Sequence, residues 1–404
     1  MPAGRGDGPV SLAAHLIRYG ALPCFRGRAQ RDAMIAEVEA AGLTGRGGAA
    51  FPTARKLAAA AGGRRPVVVG NGTEGEPASA KDKALMARSP QLVLDGAVVA
   101  AELTGAAEAV IVAHRDVREI IDQAAAERRG AGFDQVRISV RIASDRFAGG
   151  ESSAVVHWLK RGVPAPTGRP ARQAGPYGAP ALVQNVETLG HLALIARYGA
   201  TWFRSVGTSA EPGSMLVTIL GAVRMPCVTE IAIGTPVGHI LDLAGGPSAP
   251  LRALLLGGYS GAWVPAAEAM GRPFSARGLE DLGATPGAGL IVALPATACG
   301  LRETARVIRY LASESAGQCG PCVFGLGAIA ADAERLADGR GTDLGKLRRW
   351  LDQVDGRGAC GHPAGAVRLV RSALRVFGAE SAQHAAGWCC GTDQVLPVPF
   401  PRSR

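Results

Sequence analysis

Apolar and polar positions follow two different patterns along the first half of the chain. Residues 67–69 and 109–113 are short, continuous apolar runs, which are typical of buried strands. Residues 136–142 alternate between apolar and polar, which indicates a strand with one buried face. Residues 31–42 and 118–129 have the spacing of amphipathic helices instead. Strands that alternate with helices predict an α/β layer.

The pattern changes near residue 213. From there to residue 300, short β-rich runs alternate with glycine and proline turns, which predicts a small β-dominated domain. From Leu301 onward, apolar side chains return at helical spacing, in stripes that we interpret as core. The predicted organisation is an N-terminal extension (1–30), an α/β domain (31–205), a β domain (213–300), a helical domain (301–385) and a flexible tail (386–404).

A glycine-rich loop follows the first predicted helix. Residues 45–56 read GRGGAAFPTARK. Closely spaced glycines let backbone N–H groups approach an anion, and the N-terminus of a following helix adds partial positive charge. Arg46, Arg55 and Lys56 could complement a phosphate. The loop follows a helix rather than a strand, so its match to the dinucleotide fingerprint is loose, and a structural turn is an equal alternative.

Polar side chains cluster after two of the predicted strands. Asn71, Glu74 and Glu76 follow the run at 67–69, and Gly150 with Glu151 lies between the strand at 136–142 and a helix. Ligands of open α/β sheets bind beyond the carboxyl ends of the strands, where amide and carboxylate acceptors suit a nucleotide or flavin. The alternative is that these are polar surface loops.

Three of the eight cysteines have metal-ligand spacing. Cys319 and Cys322 are one turn apart, and Cys360 follows a further helical segment. Thiolates suit a soft metal centre, and an iron–sulfur cluster takes four ligands. Three alternatives stay open: another ligand completes the site, the cluster has three irons or an external ligand, or the cysteines are simply buried. The candidates for another ligand are Cys299, His362, Cys389 and Cys390.

The neighbouring Cys389 and Cys390 are a separate question. As adjacent residues they cannot easily both bind one cluster. We therefore expect them to form a redox pair of their own or to lie in the tail.

Composition narrows the function classes. The chain has 404 residues, 47% of them hydrophobic, which suits two or three globular domains. Its net charge of +10 reflects either ordinary solubility or docking to an acidic electron carrier. The arginines are scattered and aromatics do not alternate with them, so we expect no nucleic-acid partner.

The predicted location is cytoplasmic. The N-terminus lacks a signal-peptide pattern. The longest uncharged run, 282–301, contains prolines and glycines and predicts strand and turn rather than a membrane helix. Any membrane contact would therefore be peripheral, through partner subunits, without direct insertion.

Five stretches in fixed order resemble the FMN- and 4Fe–4S-binding subunit (51 kDa type) of NADH:quinone oxidoreductase and related subunits of NAD-linked hydrogenases and formate dehydrogenases. The resemblance covers residues 40–385. Its motifs are the loop at 45–53, residues 71–77 with Lys81 and Asp82, Gly150 with Glu151, residues 185–189, and residues 314–322 with Cys360.

The resemblance implies a Rossmann-like FMN domain, then a β-grasp (SLBB-like) domain, then a C-terminal helical bundle with a 4Fe–4S cluster. NADH would reduce the flavin, and electrons would pass singly to the cluster and to a partner such as a ferredoxin-like subunit. Glu76 and Glu151 are the implied catalytic residues, with Phe51 near the nicotinamide. The implied FMN-binding residues are Gly45, Gly47, Lys56, Asn71, Glu74, Gly150, Glu151, Asn185 and Thr188. The implied metal ligands are Cys319, Cys322 and Cys360.

The chain also departs from the family pattern. Ala316 stands at the position of a fourth cluster cysteine, and Ser152 at the position of a second glutamate. The further departures are Ala50 and Ala54 for glycine, Thr73 for aspartate, Phe147 for tyrosine and Gln184 for asparagine.

These departures leave the electron donor open, and two alternatives to an electron-transfer flavo-iron–sulfur protein remain. One is a non-catalytic or assembly subunit that keeps the fold without NADH oxidation. The other is a ligand-binding protein that uses its β domain.

Overall fold

The computed structural model describes residues 8–62, 66–168, 175, 179–341 and 343–399. Parts of the segment 162–181, predicted from its prolines and glycines to be a long irregular crossing, lie outside these residues. So do the ends of the predicted extension and tail. The described chain divides into two units: the first takes residues up to 75 and 80–216, and the second takes residues 76–79 and those from 217 onward.

The first unit is built on a four-stranded parallel sheet. Its strands lie in the order β3-β2-β1-β4. Apolar runs occupy the two central strands because helices cover both faces of a parallel sheet. The strand bounds are β1 Val67–Gly72, β2 Glu108–Ala113, β3 Arg137–Ile142 and β4 Ala181–Asn185. This is the Rossmann-like layer that the sequence predicts.

Eight helices are described in this unit. Two of them, α5 and α8, approach so closely that a Cβ at Gly96 would lie 1.9 Å from the carbonyl oxygen of Leu189. Nearly every residue of α5 is buried, which fits its apolar composition on all sides. The bounds are α1 Leu12–Tyr19, α2 Arg28–Ala41, α3 Thr53–Ala61, α4 Lys81–Arg88, α5 Pro90–Thr104, α6 Arg118–Gly130, α7 Ser152–Arg161 and α8 Val186–Phe203.

One element differs from the sequence expectation. Residues 183–189 read as the start of a helix, but residues up to Asn185 belong to β4 and the helix begins at Val186. A buried strand of five residues is too short for periodicity to separate it from a helix. Asn185 marks the change, because its side chain caps α8 by accepting a hydrogen bond from the N–H of Glu187 at 3.0 Å.

The second unit contains a five-stranded sheet in the order β6-β5-β9-β7-β8. The first and last strands pair in parallel at its centre, and β7 is antiparallel to both β8 and β9. This order, with a helix after the second strand, is that of the predicted β-grasp fold. The elements are β5 Ser214–Gly221, β6 Cys227–Ala232, α9 Val237–Leu243, β7 Leu251–Leu256, β8 Ala262–Pro265, α10 Ala266–Ala269, α11 Ala276–Leu279 and β9 Leu290–Pro295.

Helices follow in the same unit. Most residues of the three predicted apolar stripes are buried, as an amphipathic bundle requires. None of the described helices is long and apolar enough to cross a membrane. The bounds are α12 Gly300–Ser313, a π-helical turn Pro321–Gly325, α13 Leu326–Ala337, α14 Leu344–Val354, α15 His362–Phe377 and α16 Ser381–Ala385.

Part of the segment predicted as a tail packs on this unit. The N–H of Thr392 donates to the carbonyl of Thr297 at 3.1 Å, and the N–H of Leu396 donates to the carboxylate of Glu303 at 2.7 Å.

Candidate functional site

The carboxyl edge of the parallel sheet collects the polar residues that the sequence singles out. After β1 the chain builds β2 and β3 on one side and later returns to place β4 on the other. A crevice therefore opens beyond β1 and β4, where sheets of this kind bind ligands. In the register of these strands, Asn71 lies directly beside Asn185.

The two asparagines hold three segments together. The Nδ2 of Asn71 donates to the carbonyl of Gly150 at 2.9 Å, and its Oδ1 accepts from the N–H of Thr73 at 3.2 Å. The Nδ2 of Asn185 donates to the Asn71 carbonyl at 3.3 Å and to the Asp82 carboxylate at 2.7 Å. The structure thus brings together three predicted site residues that are far apart in the sequence: Asn71, Gly150 and Asn185.

The glycine loop is joined to the same edge. The N–H of Arg46 donates to the hydroxyl of Thr188 in α8 at 2.9 Å. A Cβ built on Gly47 would lie 3.4 Å from Asn185, and one on Gly45 would meet nothing closer than 3.6 Å. A Cβ would therefore make ordinary van der Waals contacts at both positions. The loop ends at the N-terminus of α3. Ala50 adopts a left-handed conformation, with φ of 47°.

Two basic residues of the loop, which the sequence suggested could complement a phosphate, donate hydrogen bonds to backbone carbonyls. Arg46 is turned inward, and its guanidinium donates to the carbonyls of Thr44 and Ser214 at 3.0 and 3.1 Å. Lys56 donates to the carbonyl of Val183 at 3.3 Å, and burial lowers the pKa of its ammonium group. Arg46 therefore clamps the loop.

A buried ion network supports this edge, and sequence reasoning did not identify it. The ammonium group of Lys81 contacts Asp82 at 2.7 Å and Glu187 at 2.8 Å. Burial alone would lower the pKa of Lys81, but the two carboxylates outweigh it and raise the pKa. Burial likewise opposes the ionised form of Glu187, yet Lys81 and His191 lower its pKa to about 2. The signal was present in the motifs that contain Lys81, Asp82 and Glu187, but only the fold pairs them.

Asp82 responds in the opposite direction from Glu187. Burial is the largest influence on its carboxyl group, and the nearby Glu74 adds to it, so its pKa rises to about 6 despite the contact with Lys81. Two carboxylates thus share one lysine and titrate differently.

Two predicted site glutamates cap helices. Glu74, with φ of 44°, accepts hydrogen bonds from the N–H groups of Asp82 and Lys83 at 3.0 and 2.9 Å, at the start of α4. Glu151 caps α7 by accepting from the N–H of Ser153 at 2.9 Å. A carboxylate at a helix N-terminus is held in place by these bonds and by the helix dipole. The capping fixes both carboxylates beside the strand ends, while their contact with a ligand stays a prediction.

Glu76 groups with the second unit. Its carboxylate accepts a hydrogen bond from the N–H of Tyr259 at 2.7 Å. Position 258 favours glycine because its φ is 91°, and a Cβ there would also lie 2.6 Å from a Glu76 carboxylate oxygen. The Tyr259 ring is fully buried, and burial together with Glu76 raises the pKa of its phenol. Glu76 and the glycine turn at 257–261 are far apart in the sequence, and the structure joins them. The catalytic role of Glu76 stays a prediction.

The three motif cysteines converge in the helical region. Burial raises the pKa of the Cys322 thiol to about 12, and the neighbouring Cys319 and Cys360 add to the effect. Desolvation acts the same way on Cys319, but N–H groups of Ala359 and Cys322 outweigh it and lower its pKa. Backbone N–H groups that point at a sulfur are typical of thiolate centres. The three thiols thus lie near enough to affect one another electrostatically, while their role as metal ligands stays a prediction.

Three of the four candidates for a fourth ligand belong to a separate group of side chains. Cys299, Cys389 and Cys390 gather with His384 in a group that includes none of the three motif cysteines. The Nε2 of the buried His362 hydrogen-bonds the carbonyl of Leu311 at 2.8 Å. The sulfurs of Cys389 and Cys390 lie within 4.8 Å of each other and of both other ligand atoms. The expectation that these adjacent cysteines do not easily both bind one cluster stays a prediction.

Both candidate sites fit the groups that the sequence predicts. The buried polar atoms without a hydrogen-bond partner among the described residues include the hydroxyls of Thr53, Thr73 and Ser144 and the amide nitrogen of Gln184. Together with the glycine loop at the N-terminus of α3, this unused hydrogen-bonding capacity suits a polar, phosphate-bearing ligand. The converging cysteines suit an iron–sulfur centre that takes its last ligand from elsewhere.

Family comparisons agree with both sites. Residues 38–193 match the Nuo51 FMN-binding domain, and residues 302–384 match the iron–sulfur binding region of NADH-ubiquinone oxidoreductase-F. The second F subunit of NADH-quinone oxidoreductase in Rhizobium meliloti (strain 1021) is 30% identical over 389 residues, which cover 91% of this chain and 92% of that protein. The F subunit of the Streptomyces coelicolor enzyme is 29% identical, with coverage of 90% and 85%.

Solved structures of NAD+-reducing [NiFe]-hydrogenase are also similar. The H2-reduced form aligns with a TM-score of 0.80 and 30% identity over 88% of this chain, which spans 63% of the length of that one. The air-oxidized form aligns with a TM-score of 0.83 and 29% identity, with coverage of 95% and 68%.

Proposed function

Because this chain belongs to the family of NADH-quinone oxidoreductase F subunits, we propose that it is an NADH-oxidising electron-transfer subunit. It would take electrons from NADH through FMN to an iron–sulfur centre and on to a partner protein. The comparisons contain nothing that favours the alternative of a non-catalytic or assembly subunit.

The observation that carries this proposal is the convergence at the carboxyl edge of the parallel sheet. Asn71 and Asn185 end neighbouring strands in register, and Asn71 binds the carbonyl of Gly150. The glycine loop joins the same edge through Thr188. A turn or a polar surface loop would not require three distant segments to meet beside a glycine loop.

The proposed roles follow from this geometry. Gly45 and Gly47 would let the backbone approach a phosphate at the N-terminus of α3, with Lys56 as the nearby cation. Asn71, Gly150 and Asn185 offer amide and backbone groups to the polar edge of the flavin ring. Thr188 positions the loop. Glu74 and Glu151 are fixed at helix starts, and we propose that they orient the bound nucleotides.

FMN, when bound, supplies the chemistry of accepting a hydride and releasing electrons one at a time. The protein supplies binding and orientation for that chemistry. Cys319, Cys322 and Cys360 would hold the iron–sulfur centre by three thiolates. With Ala316 at the fourth position, the remaining ligand comes from a group other than a family cysteine.

The partner would be an electron-transfer protein such as a ferredoxin-like subunit. We place the chain in the cytoplasm, beside a membrane only through partner subunits.

Anaerobic purification with cofactor analysis tests the proposal. We expect about one FMN per chain and an iron content of about three to four. Stopped-flow mixing with NADH should then bleach the flavin absorbance. Flavin-free and iron-free protein after reconstitution would refute the cofactor assignment. Loaded protein that NADH does not bleach would refute NADH as the donor.

A matched pair of variants tests the edge residues. Asn71→Asp keeps the size of the side chain but replaces the donor to the Gly150 carbonyl by an acceptor, so FMN affinity should fall about tenfold or more, as expected for a lost buried hydrogen bond. Asn185→Asp would make the same change at the neighbouring strand end, and we expect a similar loss. Unchanged FMN affinity in both would contradict the assignment of this edge.

A further inference from the structure

A second group of metal-type ligands lies outside the three motif cysteines. Cys299 directly precedes α12, His384 is in α16, and Cys389 and Cys390 follow that helix. One ligand atom from each of the four lies within 4.8 Å of all the others. Cys299 and His384 are buried, and the other two are half-buried. The proposed function uses none of these residues.

The spacing of these atoms fits one tetrahedral ion. Zinc–sulfur and zinc–nitrogen bonds of about 2.3 and 2.0 Å place a tetrahedral sulfur and nitrogen about 3.5 Å apart. The sulfur of Cys299 lies 3.4 Å from the Nε2 of His384, and that of Cys390 lies 3.9 Å from it. A 4Fe–4S cluster attaches each protein ligand to a different iron atom and would need the ligand atoms further apart.

The surroundings orient these ligands. The Nδ1 of His384 hydrogen-bonds the carbonyl of Ala337 at 2.6 Å, so Nδ1 carries the proton and the lone pair of Nε2 faces the sulfurs. The N–H of Arg302 points at the sulfur of Cys299 from 3.4 Å, at the N-terminus of α12. Burial raises the pKa of this thiol, and the hydrogen bond from Arg302 acts against that rise.

The charge near the site is also balanced. The thiol of Cys390 donates to Glu380 at 2.9 Å, and the other oxygen of Glu380 pairs with Arg252 at 2.6 Å. When a metal takes the thiolate of Cys390, this hydrogen bond is lost, and Arg252 remains beside Glu380 to compensate the carboxylate. The half-buried carboxylate of Glu380 therefore keeps an ionic partner.

We propose that Cys299, His384, Cys389 and Cys390 bind a single Zn²⁺ ion in a closed tetrahedral site. The three thiols release their protons to solvent as the zinc–sulfur bonds form, and the ion stays Zn²⁺ throughout. With all four positions taken by protein, the site is structural rather than catalytic. It joins the segment after α16 to the start of α12, where a Cβ at Gly391 would lie 2.1 Å from the carbonyl oxygen of Thr297.

Metal analysis of the full chain tests this site. Protein purified from zinc-supplemented medium and gel-filtered should contain about one zinc per chain. Zinc should remain in a variant in which Cys319, Cys322 and Cys360 are all replaced by serine, which has lost the iron centre. It should be lost from Cys390→Ser and from His384→Ala, and regained in His384→Cys. Cys24→Ser, at an exposed cysteine outside the group, is the matched control and should keep its zinc.

Cobalt gives a readout that does not depend on variant folding. Titration of the zinc-depleted wild-type chain with Co²⁺ should give the intense visible bands of tetrahedral cobalt thiolate, saturating at about one equivalent. Zinc-free protein without these bands would overturn the proposal. So would zinc that persists in both Cys390→Ser and His384→Ala. A disulfide among these cysteines, detected by intact mass and thiol labelling under reducing purification, would also overturn it.

Discussion

At the scale of single residues, Ala316 decides how the iron centre is completed. It stands where the resemblance places a fourth cysteine, and three other cysteines already converge nearby. Ala316→Cys should supply the missing thiolate, bringing the iron content to about four per chain and slowing cluster loss in air. Iron and sulfide analysis with low-temperature EPR measures this. Ala316→Ser, similar in size but a poor ligand, is the control, and equal iron in both variants would contradict the ligand position.

A second residue, Ala50, adopts a left-handed backbone conformation that favours glycine. Its φ of 47° is unfavourable for a residue with a Cβ by about 1 kcal/mol. Ala49 is also exposed, but its φ is not positive. Both Ala49→Gly and Ala50→Gly make the unfolded chain more flexible, which costs stability, but only Ala50→Gly also relieves backbone strain. In urea unfolding, Ala50→Gly should be more stable than Ala49→Gly by about 1 kcal/mol. Equal stabilities would show that the loop relaxes.

Ser152 is the third residue, and it bears on the electron donor. It is the first residue of α7, where the resemblance places a second glutamate beside Glu151. A carboxylate is electrostatically favoured in the first turn of a helix, so Ser152→Glu should be tolerated. If the missing carboxylate limits NADH binding, this variant should bleach the flavin several-fold faster in stopped flow. Ser152→Gln provides the length without the charge, and equal rates for the two would reject the explanation.

At the scale of elements, the sequence predicted whether a segment is a helix or a strand better than it predicted where the segment begins and ends. Long periodic segments such as α2, α6 and α12 were recognisable because their apolar stripes repeat over several turns. Strand β4 was missed because five buried residues followed at once by a helix give no periodic signal. The sequence also contained Lys81 and Glu187, but 106 residues separate them, and only the meeting of α4 with α8 pairs them.

The ion network between α4 and α8 predicts an unusual response to pH. The pKa of Glu187 lies at about 2 in the folded chain against an ordinary 4.5, so its contribution is complete above pH 4.5 and is lost as the pH falls toward 2. The pKa of Asp82 rises from 3.8 to about 6, so its ionisation weakens folding as the pH rises through that range.

Matched amide variants separate the two contributions. Between pH 4.5 and 2, the free energy of unfolding of Glu187→Gln should fall less than that of the wild type. Asp82→Asn should instead remove the loss of stability that the wild type shows as the pH rises from 3.8 to 6. Urea titrations across both ranges measure this. Parallel pH profiles for all three proteins would show that the network does not titrate as described.

At the scale of the whole molecule, the functional inference from the sequence rested mostly on the order of the motifs. Each motif alone had a structural alternative, and five in fixed order favoured one family. The sequence could not show that Glu74 and Glu151 cap helices, that Arg46 is buried, or that Cys389 and Cys390 face the same group as His384. These facts depend on contacts between segments that are distant along the chain.

The net charge of +10 belongs to the chain as a whole and bears on how it meets its partner. If the partner is an acidic ferredoxin-like protein, long-range attraction should speed their encounter, and salt should screen it. Electron transfer to such a partner should slow about tenfold or more between about 10 and 200 mM salt, whereas transfer to an uncharged soluble quinone should change little. Stopped flow at increasing salt measures both rates. The same salt dependence for both acceptors would mean that the charge serves solubility rather than docking.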